Sequence, residues 1–144
     1  MTTLLTPKRK ARILIVDDER DNRELLEIVL RWDGLVVLAA TSGEEALELV
    51  ARELPDLVLL DVMMPGMTGY EVAAVLKADV ASQHIPIIII SALDDHTARY
   101  LATEAGADDF IAKPVGRDKL LSHVWAALGD VFADSERWRP KPAA

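Results

Sequence analysis

The feature that most constrains this chain is a short apolar run that ends in an aspartate and a turn. Residues 57–60 are four consecutive apolar residues, a pattern typical of a strand buried on both faces of a sheet. Asp61 follows immediately, and Pro65 and Gly66 then force a turn. A carboxylate at the end of a buried strand is costly unless other groups pair with it. Asp61 therefore predicts partner groups elsewhere in the chain.

Two other apolar runs end in charged residues that are candidate partners. The first run of the chain precedes Asp17 and Asp18, and the short strand candidate 109–112 precedes Lys113. If these strands are parallel neighbours, three carboxylates and one ammonium meet at one edge of the sheet. Three like charges repel, which raises at least one pKa or calls for a divalent cation. Because carboxylate oxygens favour hard cations, the pattern predicts Mg²⁺ rather than zinc.

The whole sequence alternates between strand and helix patterns. The predicted strands are 13–16, 35–39, 57–60, 86–90 and 109–112. The first and last predicted helices are 20–32 and 116–128. Between them, capping boxes at Ser42 and Thr68 begin the second and third helices, and Ser91 with Asp94 is predicted to cap a short fourth helix. This alternation predicts right-handed crossovers and a parallel sheet covered by helices on both sides. Ligands of such sheets bind at the carboxyl ends of the strands.

Each predicted helix has an apolar face that we expect to pack on the sheet. The faces are Leu25, Ile28, Val29 and Trp32 in the first helix; Ala46, Leu47 and Val50 in the second; Val72, Val75, Leu76 and Val80 in the third; Ala98, Leu101, Ala102 and Ala105 in the fourth; and Leu121, Val124, Trp125 and Leu128 in the fifth.

Composition excludes several classes of protein. With 144 residues, 51% of them hydrophobic, the chain is expected to form one domain with a sizeable core. It has no cysteine, which fits a cytoplasmic setting and excludes thiol chemistry. Its apolar runs are too short to cross a bilayer, so we expect no membrane association. A net charge of -8 argues against general nucleic-acid binding.

The site residues and their order resemble a response-regulator receiver domain of two-component signalling, of the stand-alone, chemotaxis-regulator-like kind. The resemblance covers about residues 12–129 and rests on acids and a lysine in the expected sequence contexts. These are Asp17-Asp18, Asp61 within Leu-Leu-Asp-Val-Met-Met-Pro-Gly-Met-Thr-Gly, Ser91-Ala92 after an isoleucine run, and Lys113-Pro114. It implies a flavodoxin-like (βα)5 three-layer sandwich with strand order 2-1-3-4-5, an order taken from known proteins of this type rather than worked out from spacing.

The resemblance also implies a role for each site residue. Asp61 would accept a phosphoryl group from a phosphohistidine on a sensor histidine kinase or histidine phosphotransfer protein. Asp18 and Asp61 would bind Mg²⁺, with Asp17 acting through water and the backbone carbonyl of Met63 completing the protein ligands. The remaining roles are Lys113 as partner of the phosphoryl oxygens, Ser91 as switch hydroxyl and Phe110 as the aromatic residue that follows it.

This chemistry is consistent with general principles of phosphoryl transfer. The reaction needs an in-line nucleophile and neutralisation of the phosphoryl oxygens. A carboxylate can be that nucleophile, and a cation with a lysine can neutralise the charge. The new charge on Asp61 is expected to switch the face formed by the fourth helix, fifth strand and fifth helix toward a downstream protein target, which is not identified. We expect a signalling domain that catalyses only its own phosphorylation and dephosphorylation, and a homodimer through the same face stays open.

Two residues depart from the commonest pattern of that family. Phe110 stands where tyrosine is frequent, so no phenol hydroxyl is available there. Met63 and Leu93 flank the predicted phosphosite and are both apolar. We expect them to hinder attack of water on the acyl phosphate and to lengthen the life of the signal.

Taken singly, these residues also fit plainer structural roles. Asp17 or Asp18 would suit the N-terminus of the first helix, and Ser91 would cap the fourth. Lys113 would be a surface residue before a cis or trans proline, and Phe110 a core residue. The three histidines are interpreted as solvated side chains: His84, His96 and His123.

Three other kinds of protein are weaker alternatives. Haloacid-dehalogenase-like phosphatases typically carry a second aspartate two residues after the first, where this chain has Met63. A flavodoxin-like cofactor binder needs a phosphate loop after the first strand, where Asp17 and Asp18 would repel a phosphate. A degenerate receiver used only for protein contacts would not need the intact acids and lysine.

The ends of the chain are predicted to lie outside the domain. We expect a solvated basic tail over residues 1–11, a receiver domain over 12–130 and a C-terminal tail over 131–144, in which Trp138 has no assigned role. The segment after Asp130 is too short for an output domain. The sequence leaves open whether the protein stands alone or is a piece of a hybrid kinase or multidomain regulator.

Overall fold

A computed structural model of the protein describes residues 9–129. Within that range five strands alternate with five helices. The strands are β1 (Arg12–Val16), β2 (Val36–Ala40), β3 (Leu57–Asp61), β4 (Ile87–Ser91) and β5 (Asp109–Ala112), and the helices are α1 (Arg20–Trp32), α2 (Gly43–Glu53), α3 (Gly69–Ala78), α4 (His96–Glu104) and α5 (Arg117–Leu128). All neighbouring strands are parallel, in the order β2-β1-β3-β4-β5, which confirms the predicted fold.

The sheet has one hydrophobic core on each face, which makes a three-layer sandwich. Alternate residues of each strand point to opposite faces, so that Ile13 and Ile15 belong to one core and Leu14 and Val16 to the other. The first core is completed by α1 and α5, and the second by α2, α3 and α4. Because both faces are covered, the central strands β3 and β4 are buried along their whole length.

The predicted apolar face of α1 is confirmed at Val29 and wrong at its other three residues. Leu25, Ile28 and Trp32 are exposed, and Trp32 keeps 83% of its surface. The helix instead packs Leu26, Val29 and Leu30 on the sheet. Apolar residues occupy more than one side of this helix, so spacing alone does not decide which side faces the core.

No helix within residues 9–129 is both long and apolar enough to span a bilayer.

The other predicted helix faces are confirmed in part. In α3, Val72 and Leu76 are buried, whereas Val75 is exposed and Val80 lies beyond the end of the helix. In α4, Ala98 and Ala102 are buried and Leu101 is exposed. The predicted buried residues of α5 all pack in the first core: Leu121, Val124, Trp125 and Leu128.

The helix starts follow the predicted capping residues in two cases and differ in two. At α3, Thr68 and Glu71 form the full capping box, and at α2 the Ser42 hydroxyl accepts from the Glu45 amide. The predicted cap of α4 by Ser91 is wrong, because Ser91 ends β4 and Asp95 caps the helix. The plainer role of Asp17 and Asp18 is also wrong, since the N-cap position of α1 is Glu19.

The basic segment before β1 is partly bound to the domain, contrary to the interpretation of residues 1–11 as a solvated tail. Arg9 forms two hydrogen bonds to Asp56, at 2.7 and 2.6 Å, and Ala11 is buried. The backbone amide of Arg12 donates to the same carboxylate at 2.8 Å. Asp56 therefore binds the segment that precedes β1 to the amino-terminal edge of the sheet. Residues 1–8 and 130–144, with Trp138, lie outside the described range.

Candidate functional site

The parallel sheet brings the predicted site residues to one edge. Asp17 follows β1, Asp61 ends β3, Ser91 ends β4 and Lys113 follows β5. In the sheet register Val16 pairs with Leu60, so that the acids that follow these two residues leave the sheet side by side. The topology alone therefore places two acids and a lysine around the carboxyl ends of the central strands.

Asp17, Asp18 and Asp61 form a cluster whose carboxylates each offer an oxygen within 4.8 Å of the others. Asp17 and Asp61 are 2% and 6% exposed, whereas Asp18 faces solvent. The cluster is thus open on one side and closed on the other. An all-oxygen set of three carboxylates has the ligand type and negative charge that suit Mg²⁺, so the residues present fit the predicted ion.

Lys113 supplies the positive charge of the site. Its Nζ donates a hydrogen bond to Oδ1 of Asp61 at 2.9 Å and lies 3.9 Å from Oδ2 of Asp17. The Lys113–Pro114 peptide bond is cis. The backbone amide of Lys113 donates to the carbonyl of Ser91 at 2.8 Å, which anchors the residue to the end of β4.

The charges around Asp61 shift its pKa and that of Lys113. Burial raises the pKa of Asp61, and repulsion from Asp17 and Asp18 adds to the increase, while Lys113 opposes it. Burial alone would lower the pKa of Lys113, but the hydrogen bond to Asp61 and the nearby acids outweigh it, and the pKa is raised. The site therefore has an excess of negative charge that a single lysine does not neutralise.

The two predicted switch residues lie on β4 and β5. Ser91 is fully buried, and its hydroxyl oxygen accepts a hydrogen bond from the backbone amide of Leu93 at 3.0 Å. Phe110 packs at the border of the core that includes α4. The guanidinium of Arg99, on α4, lies 4.5 Å from the centre of the Phe110 ring. Phe110 thus combines core contacts with a cation contact from α4.

Met63 lies in the loop that follows β3, and its side chain is mostly exposed. The loop returns to α3 through Gly69, whose amide donates to the carbonyl of Val62 at 3.0 Å. A Cβ atom on Gly69 would lie only 2.3 Å from the carbonyl oxygen of Asp61. Glycine at this position therefore lets the start of α3 pack directly on the backbone of the central acid.

Two further residues contact the acidic cluster, and the sequence patterns do not predict them. Arg23 donates from Nη1 to the backbone carbonyl of Asp17 at 2.9 Å. The amide of Glu19 donates to Oδ1 of Asp17, also at 2.9 Å. Both lie in or just before α1, where many charged residues occur, and no sequence signal separates Arg23 from its exposed neighbours.

The prediction for His123 is wrong in part. Its side chain is half-buried rather than fully solvated, and its Nδ1 pairs with Oδ2 of Asp109 between α5 and β5. His84 and His96 are exposed, as expected.

A cavity of about 480 Å³ lies beside the site. It is bordered by Asp17 and Lys113 on the polar side and by apolar side chains of α1 and the segment after β5 on the other. The full lining is Asp17, Asn22, Leu25, Leu26, Ile90, Ala92, Lys113, Pro114 and Val115.

Comparison with known proteins is consistent across sequence and structure. Residues 13–125 match the family described as response regulator receiver domain. The chain is 46% identical over 114 residues to the response regulator PleD of Caulobacter vibrioides, covering 79% of this chain and 25% of that protein. It is 43% identical over 117 residues to the response regulator MprA of Mycobacterium leprae, covering 81% of this chain and 50% of that protein. The chain thus spans a quarter to half the length of these curated relatives.

Two solved structures with the same fold match this chain over nearly their whole length. A putative response regulator from Chloroflexus aurantiacus has a TM-score of 0.82 and 37% identity, over 85% of this chain and 100% of that chain. The chemotaxis protein CheY4 of Vibrio cholerae has a TM-score of 0.79 and 26% identity, over 83% of this chain and 99% of that chain.

Proposed function

Because this chain belongs to the response regulator receiver domain family, we propose that Asp61 is its phosphoacceptor in two-component signalling. The donor would be a phosphohistidine on a sensor histidine kinase or a histidine phosphotransfer protein. The observation that carries the proposal is the position of Asp61, buried at the carboxyl end of β3 with Lys113 at 2.9 Å and two further acids beside it.

The reaction transfers a phosphoryl group from the imidazole of the donor to the carboxylate of Asp61, without a change of oxidation state. One carboxylate oxygen of Asp61 forms a bond to phosphorus, and the bond from phosphorus to the imidazole nitrogen of the donor breaks. The electron pair of that bond leaves with the imidazole. Lys113 is placed to compensate the charge on the acyl phosphate, because its Nζ already contacts Oδ1 of Asp61.

Asp17, Asp18 and Asp61 would hold a Mg²⁺ ion, together with the backbone carbonyl of Met63 that the family implies. When bound, the ion supplies positive charge to the phosphoryl oxygens. The protein's own part is to hold three carboxylates close together, with Asp61 beside Lys113. Three carboxylates and one lysine leave an excess of negative charge that a cation can neutralise.

Phosphorylation of Asp61 would act on the surface of α4, β5 and α5 through Ser91 and Phe110. Ser91 ends the strand next to Asp61, and Phe110 joins β5 to α4 through its contact with Arg99. A phosphoryl group adds charge and acceptor oxygens that the Ser91 hydroxyl can bind. The downstream target would be a protein that binds this face, and a second copy of the chain is an alternative occupant.

We further propose that the domain catalyses only its own phosphorylation and dephosphorylation, in the cytoplasm, and acts on no separate substrate. The activity of any longer protein that contains it would come from other domains. This part of the proposal rests on the family assignment and on an acidic composition that disfavours nucleic-acid binding.

Intact-mass measurement after incubation with Mg²⁺ and acetyl phosphate tests the proposal. The wild type is expected to gain one phosphoryl group, and Asp61→Asn none. Asp118→Asn is a matched control, because Asp118 is an exposed residue of α5 away from the cluster. A phosphoryl group that still appears on Asp61→Asn would refute the assignment.

A further inference from the structure

We propose that Arg23 is a positioning residue that holds the Asp17–Asp18 pair in place for the divalent cation. The inference rests on the proposed function, because it assigns a role toward the same acidic cluster. Nη1 of Arg23 donates a hydrogen bond to the backbone carbonyl of Asp17 at 2.9 Å.

That carbonyl belongs to the peptide that joins Asp17 to Asp18. A hydrogen bond to it therefore restricts the orientation of the one peptide plane that carries both acids. Arg23 is itself restricted, because it is half-buried in the first turn of α1 and its backbone amide donates to the carbonyl of Glu19 at 3.1 Å. The contact thus joins a side chain of α1 to Asp17, the first residue after β1.

The remaining groups of Asp17 are also held, each by a different element. Its backbone amide donates to the carbonyl of Ala40 at the end of β2, at 3.2 Å, and its Oδ1 accepts from the Glu19 amide at 2.9 Å. Oδ2 is the oxygen that faces Lys113, at 3.9 Å. With Arg23 on the carbonyl, the residue is fixed on three sides, and the fourth points into the site.

Arg23 is also electrostatically linked to α2. Its charge helps to lower the pKa of Glu45, although the hydrogen bonds of that carboxylate to Thr41 contribute more. The carboxylate of Glu45 is therefore held by Thr41, the residue after Ala40, while Arg23 acts on it only through its charge.

The sign of the effect separates positioning from simple electrostatics. Arg23 is a cation near an acidic cluster, so removing its charge alone would strengthen cation binding. Removing a positioning hydrogen bond would weaken binding, because the two acids would lose their fixed orientation. Loss of an outer-shell partner weakens metal binding about 10–100-fold in other sites.

Isothermal titration calorimetry with Mg²⁺ alone tests the inference on the full chain. Arg23→Met, which keeps the aliphatic stem, is expected to raise the Kd for Mg²⁺ by about tenfold. Arg23→Lys keeps a donor and the charge, and it is expected to restore binding in part. Arg20→Met is the matched control, because Arg20 lies in the same turn, carries the same charge and pairs with Glu24 instead. Its Kd is expected to be unchanged or slightly lower.

A second measurement uses the rate of phosphorylation by acetyl phosphate at two Mg²⁺ concentrations. Arg23→Met is expected to be slow at low Mg²⁺ and to approach the wild-type rate at saturation, because the loss lies in binding the cation. If Arg23→Met does not fold, Arg23→Gln gives the same test, since its shorter side chain removes the guanidinium contact.

The outcomes are distinguishable. A Kd for Arg23→Met equal to or lower than that of the wild type overturns the inference alone. A wild-type protein that neither binds Mg²⁺ nor takes up a phosphoryl group overturns the proposed function, and the inference with it.

Discussion

The indole of Trp125 donates a hydrogen bond from Nε1 to Oδ2 of Asp33 at 2.7 Å. Asp33 is the C-cap residue that follows α1, and it is buried, while Trp125 lies in α5. The bond therefore ties together the two helices that cover the same face of the sheet. A buried carboxylate that loses such a donor loses part of the compensation for its desolvation cost.

Trp125→Phe is expected to lower the free energy of unfolding by about 1–3 kcal/mol, since it removes a hydrogen bond to a buried charged group. Urea unfolding at pH 7 measures the change. Trp32→Phe is the matched control, because Trp32 is the last residue of α1, next to Asp33, and its side chain is 83% exposed. Equal losses in the two variants would show that the Asp33 contact is not what stabilises the helix pair.

Gly69→Ser is expected to destabilise the protein by about 1–3 kcal/mol, because a new side chain would overlap backbone rather than a flexible group. Its Cβ would lie 2.3 Å from the carbonyl oxygen of Asp61, so the central acid must shift as well. Phosphorylation by acetyl phosphate should slow in the same variant. Gly116→Ser provides the comparison, since a Cβ there meets nothing within 4 Å and a serine suits the N-cap of α5. If both variants unfold at the same urea concentration, the close approach at Gly69 is unimportant.

The pair formed by Asp56 and Arg9 makes stability depend on pH. Burial alone would raise the pKa of Asp56, but the hydrogen bonds from Arg9 and from the Arg12 amide outweigh it, and the pKa is lowered. A carboxylate with a lowered folded pKa stabilises the protein above its unfolded pKa of about 3.9. That contribution is lost as the pH falls through the lower folded value.

Asp56→Asn should therefore cost about 1.5–3 kcal/mol at pH 7, the approximate value of hydrogen bonds to a charged group. The difference from the wild type should shrink as the pH is lowered below about 4, where the unfolded wild type also becomes protonated. Denaturant unfolding of both proteins across this pH range measures it. A difference that stays constant with pH would mean that Asp56 contributes through shape rather than through its charge.

Much of the fold follows from the sequence because strong local signals agree with the topology. The apolar runs of β3 and β4 have no competing interpretation, and the capping box of Thr68 and Glu71 marks the start of α3 within one residue. Parallel strands then carry Asp17 and Asp61 to one edge without any long-range information. The acidic cluster is thus a consequence of where the strands end.

The errors arise where two sequence patterns overlap or where a contact is distant in the chain. Leu25 and Leu26 are both apolar, and only the sheet decides that α1 buries Leu26. The pairing of His123 with Asp109 depends on how α5 packs against β5, which spacing does not reveal. Arg23 resembles any other charged residue of a surface helix until its partner is known to be the Asp17 backbone.

The lifetime of the phosphorylated state, which rests on the proposed function, should depend on Met63. This residue follows Asp61 by two positions, and its side chain is 63% exposed in the loop after β3. An apolar group there cannot orient a water molecule for attack on the acyl phosphate, whereas an amide can donate or accept a hydrogen bond.

Met63→Asn is therefore expected to shorten the half-life of the phosphorylated protein several-fold, as followed by intact mass after removal of the donor. Leu93→Asn, on the other flank, is expected to act in the same direction. Val80→Asn introduces the same amide at an exposed position beyond the end of α3, and its half-life should equal that of the wild type. An unchanged half-life in Met63→Asn would mean that water reaches the phosphoryl group by another side of the site. The open flank at Asp18 would then be the route to examine, because it is the exposed member of the acidic cluster.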